Sequence, residues 1–336
     1  GRTAQSISVG DVSACAILDS QELKCWGWAP GYGDQNVRGD GFFEMGQFLP
    51  AIDLGSGRTA KSVAVGRREH CAVLDNDRLK CWGDALQTAN DPAGDMGNDL
   101  PYVDLGSGRT VKAVSMAHSV ASSRSDSSLG DFSSYCAILD NDRLKCWGLA
   151  PGYGDFTSRG TGPGDTGGSL AHLNLGSESR VKAVAVSPEH VCAILFNNRI
   201  KCWGGNGSGE LGLGDTTSRG RSSGTMGNSL PYVDLGTGRT AKSLAVGLRY
   251  SCALLDNDRV KCWGTGNGGE NGAGTGANLG DSPGSMGNAL PYVDLGTGRT
   301  VKTLHSDGAG SHTCVVLDNG LMKCWGAGGY QVGPSY

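Results

Sequence analysis

Three things are missing from this chain of 336 residues: a long apolar run, an excess of charge of one sign, and any cysteine outside a repeated motif. Without an apolar run of about 18 residues, no membrane-spanning helix is expected. A net charge of −4 gives no basic surface of the kind that binds nucleic acid. No helical periodicity is visible, and 57 glycines argue against long helices. A nucleophile elbow ahead of a helix, a phosphate-binding loop and a His-Glu-x-x-His metal motif are absent too, which leaves no enzyme signature to follow. No leader is visible at the start, and because Gly1 is not an initiator a signal peptide removed during maturation fits the sequence.

What is present is a motif. Cys-x9-Cys-Trp-Gly occurs six times and uses all twelve cysteines, as Cys15/Cys25, Cys71/Cys81, Cys136/Cys146, Cys192/Cys202, Cys252/Cys262 and Cys314/Cys324. Folded as an antiparallel hairpin, the second copy sets Cys71 opposite Cys81 and Val73 opposite Leu79, leaving Asp75-Asn-Asp77 as the loop. A three-residue hairpin loop ends on a left-handed residue. Gly320, Asn198, Asp77, Asp142 and Asp258 occupy that place and tolerate the conformation. Opposed residues lie close enough for a disulfide, which predicts six intra-hairpin bridges worth roughly 2–3 kcal/mol each. Zinc is the rival reading, but its ligands usually sit about two to four residues apart, and nine intervening residues do not suit it. Six disulfides imply an oxidising compartment, so the chain is read as secreted or displayed on a cell surface.

Successive first cysteines lie 56, 65, 56, 60 and 62 residues apart. Each unit also carries a second block, such as Leu230-Pro-Tyr-Val-Asp-Leu-Gly-Thr-Gly-Arg-Thr-Ala-Lys-Ser-Leu244, which divides into two strands around its glycines. Four strands per unit predict an all-β propeller of six four-stranded blades. It reads as a single domain, 1–336, with hairpins centred near 20, 76, 141, 197, 257 and 319. A seventh blade would need flanking sequence. Tyr330-Gln-Val-Gly-Pro-Ser-Tyr336 is a weak candidate for a closing strand.

The fourth unit, Cys192-Ala-Ile-Leu…Lys201-Cys-Trp-Gly-Gly-Asn-Gly-Ser-Gly-Glu-Leu-Gly-Leu-Gly-Asp-Thr-Thr217, resembles the repeats of the regulator of chromosome condensation family. Ser311-His-Thr-Cys-Val-Val-Leu317 resembles the start of that family's hairpin. The likeness extends along the chain and is closest to a cysteine-rich, extracellular-looking branch with the Met-Gly-Asn-x-Leu-Pro-Tyr-Val-Asp-Leu-Gly block. It implies a propeller. The nuclear member acts as a nucleotide exchange factor through loops and an inserted wedge that have no match here, so fold alone does not transfer that activity.

Binding is therefore sought in what does not repeat. The long loops are 117–135, 204–229 and 264–289. Trp26, Trp82, Trp147, Trp203, Trp263 and Trp325 hold the repeat position and are read as packing between units. Trp28 alone lies outside it. With Tyr32 and Tyr153, from the repeated Ala-Pro-Gly-Tyr-Gly-Asp stretch, it is the candidate contact for a protein or a sugar face. His70 and His312, beside repeat cysteines, are read as structural, whereas His118 and His305 sit in atypical places. Asp40, Glu44, Asp91, Asp95, Asp165, Asp215 and Asp281 would suit calcium if gathered on one rim, although turn-forming roles are simpler. The lysine before each second cysteine, and the Arg-Thr-x-Lys block, are read as covering the surface with their aliphatic stems. Asn206-Gly-Ser208 is the one N-glycosylation sequon. The leading expectation is a non-enzymatic extracellular propeller that binds protein or glycan through rim loops, with room for assembly with other copies and with no cofactor. The alternatives are an axial-channel lyase or hydrolase and an exchange-factor-like regulator.

Overall fold

The structure is a computed structural model that describes residues 1–336 except 29, 35, 84–94, 120–131, 149–151, 156, 161–164, 307, 309 and 328–336. Asp91, most of the 117–135 insertion and the Tyr330–Tyr336 segment lie outside the described residues. Among the described residues, eighteen strands pair only with their chain neighbours, in six antiparallel sheets of three. The first unit, Gly1–Pro151 with Thr157–His172, holds three sheets. They are β1 (Ala4–Val9), β2 (Ser13–Leu18) and β3 (Leu23–Gly27); β4 (Ala60–Val65), β5 (Glu69–Leu74) and β6 (Leu79–Gly83); and β7 (Val111–Ser119), β8 (Phe132–Leu139) and β9 (Leu144–Gly148). The second unit, Gly152–Phe156 with Leu173–Tyr336, holds the other three. They are β10 (Val181–Val186), β11 (His190–Leu195) and β12 (Ile200–Gly204); β13 (Ala241–Val246), β14 (Tyr250–Leu255) and β15 (Val260–Gly264); and β16 (Val301–Ser306), β17 (His312–Leu317) and β18 (Met322–Gly326).

The hairpin register is the expected one. Cys71 faces Cys81 and Val73 faces Leu79, with the same pairing in all six copies. Every cysteine is bridged to its expected partner. Cys15 joins Cys25, Cys71 joins Cys81 and Cys136 joins Cys146 in the first unit. Cys192 joins Cys202, Cys252 joins Cys262 and Cys314 joins Cys324 in the second. Cys146 is fully buried on β9, whereas Cys324, on the last strand, is half-buried. The third loop residue is left-handed throughout, from Asp77 (φ 60°) and Asn198 (φ 61°) to Gly320 (φ 82°), including Gln21 (φ 63°) in the first copy.

The second block grips this loop residue by residue. Asp256 Oδ1 accepts the Thr240 N–H at 3.1 Å, and its other oxygen lies 3.4 Å from Arg239. Asn257 Nδ2 donates to the Tyr292 hydroxyl at 3.1 Å. Asp258, the left-handed residue, takes Lys242 Nζ at 2.6 Å. Lys242 is the extra residue of a bulge between Ala241 and Ser243, and an equivalent bulge recurs in all six sheets. The Arg-Thr-x-Lys block therefore acts through its charged heads. These pairs are exposed and worth at most about 1 kcal/mol apiece.

The lysine before the second cysteine also departs from expectation. Lys201 is 2% exposed, and its ammonium donates to Leu175 O and Gly227 O, both at 2.8 Å. Lys80 does the same to Leu54 O and Gly97 O, Lys145 to Leu105 O and Gly167 O, and Lys261 to Leu235 O and Gly287 O. Burial lowers the pKa of all four. The ring of Tyr232 lies 4.8 Å from Lys201 Nζ, with the Arg199 guanidinium 3.6 Å from its centroid. The buried head, rather than the stem, makes the attachment.

Among the described residues no fourth strand forms beside these attachments. Tyr-Val-Asp-Leu does not join a ladder: Val233 N donates to Ile200 O at 2.9 Å, and Val103 N and Val293 N make the equivalent single bond. Pro231 has no N–H to offer. Asp234 Oδ1 turns to accept Gly236 N at 2.9 Å, closing a side-chain turn before a second ladder bond can form. The sheets are three-stranded, with this segment pinned alongside.

Within each unit the disulfide face of one sheet receives the tryptophan face of the next. Cys15, Ile17, Leu23 and Cys25 pack with Ala72, Leu74 and Trp82. In the second unit Cys192, Ile194, Ile200 and Cys202 pack with Ala253, Leu255 and Trp263, and Cys252, Leu254, Val260 and Cys262 with Val315, Leu317 and Trp325. Each of these indoles also donates backward, as Trp82 Nε1 does to Pro30 O (3.3 Å) and Trp263 Nε1 to Glu210 O (2.9 Å). The loop can approach because Gly31 and Gly212 have no side chain; a Cβ at Gly31 would lie 2.0 Å from Trp82 Nε1.

Lys201→Met is expected to strand two buried carbonyls and lower the unfolding free energy by roughly 2–4 kcal/mol in denaturant titration with disulfides intact. Lys242→Met, at an exposed pair, is expected to cost under about 1 kcal/mol. Equal costs for the two would refute the buried-head assignment.

Candidate functional site

His70, His118 and His190 join neighbouring sheets through their side chains. His70 is fully buried, stacked on Trp82 at 5.5 Å, with Nε2 3.1 Å from Ser13 Oγ of the preceding sheet. His190 bridges Ser187 Oγ (2.9 Å, Nδ1) and Ser251 Oγ (2.7 Å, Nε2). His312 is half-buried, and its carbonyl accepts the Tyr250 hydroxyl at 2.8 Å. His118 Nδ1 lies 3.0 Å from both Glu69 Oε1 and Ser133 Oγ, and all three residues are buried. Burial pushes the Glu69 carboxyl up, but its hydrogen bonds, that to His118 foremost, outweigh burial and hold it below its ordinary pKa. A serine–histidine–carboxylate relay needs its two partners on different ring nitrogens; here both share Nδ1. Ser251 Oγ donates to Glu210 O at 2.9 Å, so its proton is already committed. His305 is exposed on β16.

The carboxylates are engaged locally. Glu44 Oε2 accepts Gly39 N (2.9 Å) and Gly41 N (3.0 Å), and Asp215 pairs with Arg219 at 2.8 Å. Among the described residues no three His, Cys, Asp or Glu side chains converge as metal ligands. Asn206, the sequon asparagine, lies inside its loop. It is fully buried; its Nδ2 donates to Asp215 O (2.7 Å), Asp215 Oδ1 (3.1 Å) and Thr217 O (3.2 Å), while Oδ1 accepts Leu211 N.

Among the described residues, the loops after β3, β9, β12 and β15 are closed alike, by antiparallel bridges such as Gly27 to Arg38 and Gly204 to Arg219. On this frame Trp28 is 47% exposed, with the Arg68 guanidinium 5.1 Å from its ring. The tyrosines expected beside it behave differently. Tyr32 is half-buried, with its hydroxyl 2.9 Å from both Cys25 O and Pro50 O, and burial pushes its pKa up to about 12. Its hydroxyl fastens the loop. Tyr153 is likewise half-buried.

A second aromatic group escaped the sequence reading. Phe42, Phe43 and Phe48 are 97%, 75% and 52% exposed, and Phe43 meets Phe48 edge-on at 5.2 Å. Phe43 has φ 64°, a left-handed conformation. Aligned on Met45, Met226 and Met286, its place is held by Gly224 (φ 76°) and Gly284 (φ 80°) in later repeats. That mismatch was visible in the repeats themselves. A neighbouring cleft of 720 Å³, lined by Ala16, Leu18, Lys24, Trp26, Met45 and Leu49 among others, is the sheet face equivalent to Ala72, Leu74 and Trp82, and is read as a packing face.

The Regulator of chromosome condensation (RCC1) repeat family matches residues 181–210 and 241–270, the stretches that carry β10–β12 and β13–β15. The chain carries RCC1-like repeats. It is similar to the RCC1 domain-containing protein RUG3, mitochondrial, of Arabidopsis thaliana, with 27% identity over 206 residues, 59% of this chain and 41% of that protein. The RCC1-like chain thus matches about two fifths of that relative's length. Among solved structures, Prp20p from Saccharomyces cerevisiae superposes with a TM-score of 0.65 at 15% identity, covering 96% of this chain and 71% of that one. The ectodomain of the receptor kinase CR4 from Physcomitrella patens gives 0.50 at 18% identity, covering 97% and 62%. At these identities the likeness concerns the fold alone: an all-β, RCC1-type propeller.

Phe43→Gly is expected to relieve left-handed strain and raise the unfolding free energy by about 1 kcal/mol; a loss of stability would show that the ring packs. Burial holds His190 and His70 neutral, with pKa values of about 3 and about 4 against 6.5 unperturbed. The folded state therefore binds fewer protons between those values, and stability is lost as pH falls from 6.5 toward 4. At about 1.4 kcal/mol per pH unit, each contributes a loss of roughly 2–3 kcal/mol by pH 4.5. His190→Gln should flatten that slope in unfolding titrations from pH 7 to 4.5, and an unchanged slope would refute it.

Proposed function

We propose that the chain is a non-enzymatic, extracellular binding module, a single domain of six RCC1-like repeats arranged as propeller blades, that contacts a protein partner through the non-repeating loops of its first repeat. The observation that carries this reading is Trp28. It is the one tryptophan outside the packing position, it is exposed, and it sits on a loop fastened by Tyr32 and the Gly27–Arg38 bridge. Trp and Arg together are the residues that dominate protein interfaces. Arg68 already covers one ring face, which suits a protein contact better than a sugar stacked on a free face. Prp20p is described with binding properties to Gsp1p and histones, and the CR4 structure is a receptor ectodomain. Six disulfides support the oxidising setting.

Photo-crosslinking tests the reading. With p-benzoylphenylalanine at position 28, irradiation against secreted and surface proteins of the source organism is expected to give a discrete protein adduct that the same label at Asn76 does not. The reading fails if position 28 yields no specific adduct, if Trp28-dependent binding appears only on a glycan array, or if the native protein carries free thiols.

A further inference from the structure

The phenylalanine loop of the first repeat is exposed by its own sequence. In the second unit the equivalent positions are Ser223, Gly224 and Ser229 in one repeat, and Pro283, Gly284 and Ala289 in the next. All six are exposed as well. The position therefore faces solvent in each of these repeats, and only the first fills it with phenylalanine. This loop holds half of the six phenylalanines in the chain.

Neither folding nor solubility accounts for them. The loop keeps the shape of its counterparts without aromatic help: Glu44 Oε2 accepts Gly39 N at 2.9 Å, as Thr225 Oγ1 accepts Gly220 N at 2.8 Å. Phe43 adopts a left-handed backbone that a glycine would adopt without strain. A strained residue retained in an exposed place points toward use. At ~200 Å² for a phenylalanine side chain, the three expose about 450 Å², the size of patch that on a monomer is often functional. That is about half of one partner's share of a standard interface, the extent of an anchor.

The charge of the loop itself narrows the partner. From Gly39 to Gly57 there is no Lys or Arg, while Asp40 and Glu44 flank the rings. Lys24 reaches this loop from β3, but its ammonium is turned to Gly46 O and Leu49 O, and Arg2 lines the neighbouring cleft. Glu44 is held below its ordinary pKa by the Gly41 and Gly39 N–H groups. The loop lacks the run of Lys and Arg that draws a protein to an anionic bilayer. We propose that Phe42, Phe43 and Phe48 form the anchor of a protein interface and seat in an apolar groove of the partner rimmed by Lys or Arg. This deepens the protein-binding reading above and rests on it.

The test uses the whole oxidised chain, and F42S/F43G/F48S, which installs residues found at these places in later repeats. A random 16-residue phage library is selected on the wild-type chain after depletion on the triple variant. The expected result is enrichment of apolar peptides flanked by Lys or Arg, at least tenfold weaker binding of those peptides to the triple variant, and a thermal midpoint no lower than wild type. The proposal is overturned by no enrichment, by enrichment of acidic peptides, by Phe-dependent sedimentation with phosphatidylcholine–phosphatidylserine vesicles, or by a Phe-dependent dimer in light scattering. Peptides that lose binding to Trp28→Ala but not to the triple variant would overturn this anchor and leave the protein-binding reading standing. Loss of both the position-28 adduct and the peptide binding would end both.

Discussion

Each unit rests on one contact, the indole of one repeat pressed on the disulfide face of the repeat before it. Trp82 and Trp263 are almost wholly excluded from water, and each also ties its Nε1–H to a carbonyl of the preceding loop. Removing such a ring would cost roughly 3–5 kcal/mol. The contact explains why Cys and Trp are adjacent in sequence. The cysteine points to one side of its sheet and the next residue to the other, so a single dipeptide supplies both the surface that receives and the surface that inserts.

A second layer of order follows from the lysine beside that dipeptide. Its ammonium ties the end of one second block to the approach of the next, as Lys201 does with Leu175 and Gly227. In four repeats the loop after the third strand leaves this frame at a fixed point, closed by the Gly27–Arg38 type of bridge. Preformed loops on such a scaffold present aromatic groups without having to order them on binding.

The hairpin register, the left-handed turn residue and the cysteine pairing were all legible, because period-two alternation and turn stereochemistry are local. The fourth strand misled because Pro231 and Asp234 cancel ladder bonds that composition alone promises. Lys201 misled because a lysine in a polar-looking pattern is normally solvated, and only the tertiary placement of two carbonyls keeps it inside. Asn206 satisfied a sequon yet serves as an internal brace. Trp28 stood out as an exception to a count, and its exposure agrees with that; Tyr32 shared its motif but not its environment. The Phe42–Phe48 loop was legible in principle, since Phe43 stands at a glycine position of the repeat, but that shows only when repeats are compared for backbone conformation.

All six bridges close within a single hairpin, each spanning a sequence separation of 10. Every thiol therefore meets its partner almost as soon as both have been synthesised, before any later cysteine can compete. Vectorial export into an oxidising space would pair each hairpin in turn. In evolution the same locality lets a repeat be duplicated or deleted without rewiring the bridges of its neighbours, so the array can change length while its covalent pattern stays intact.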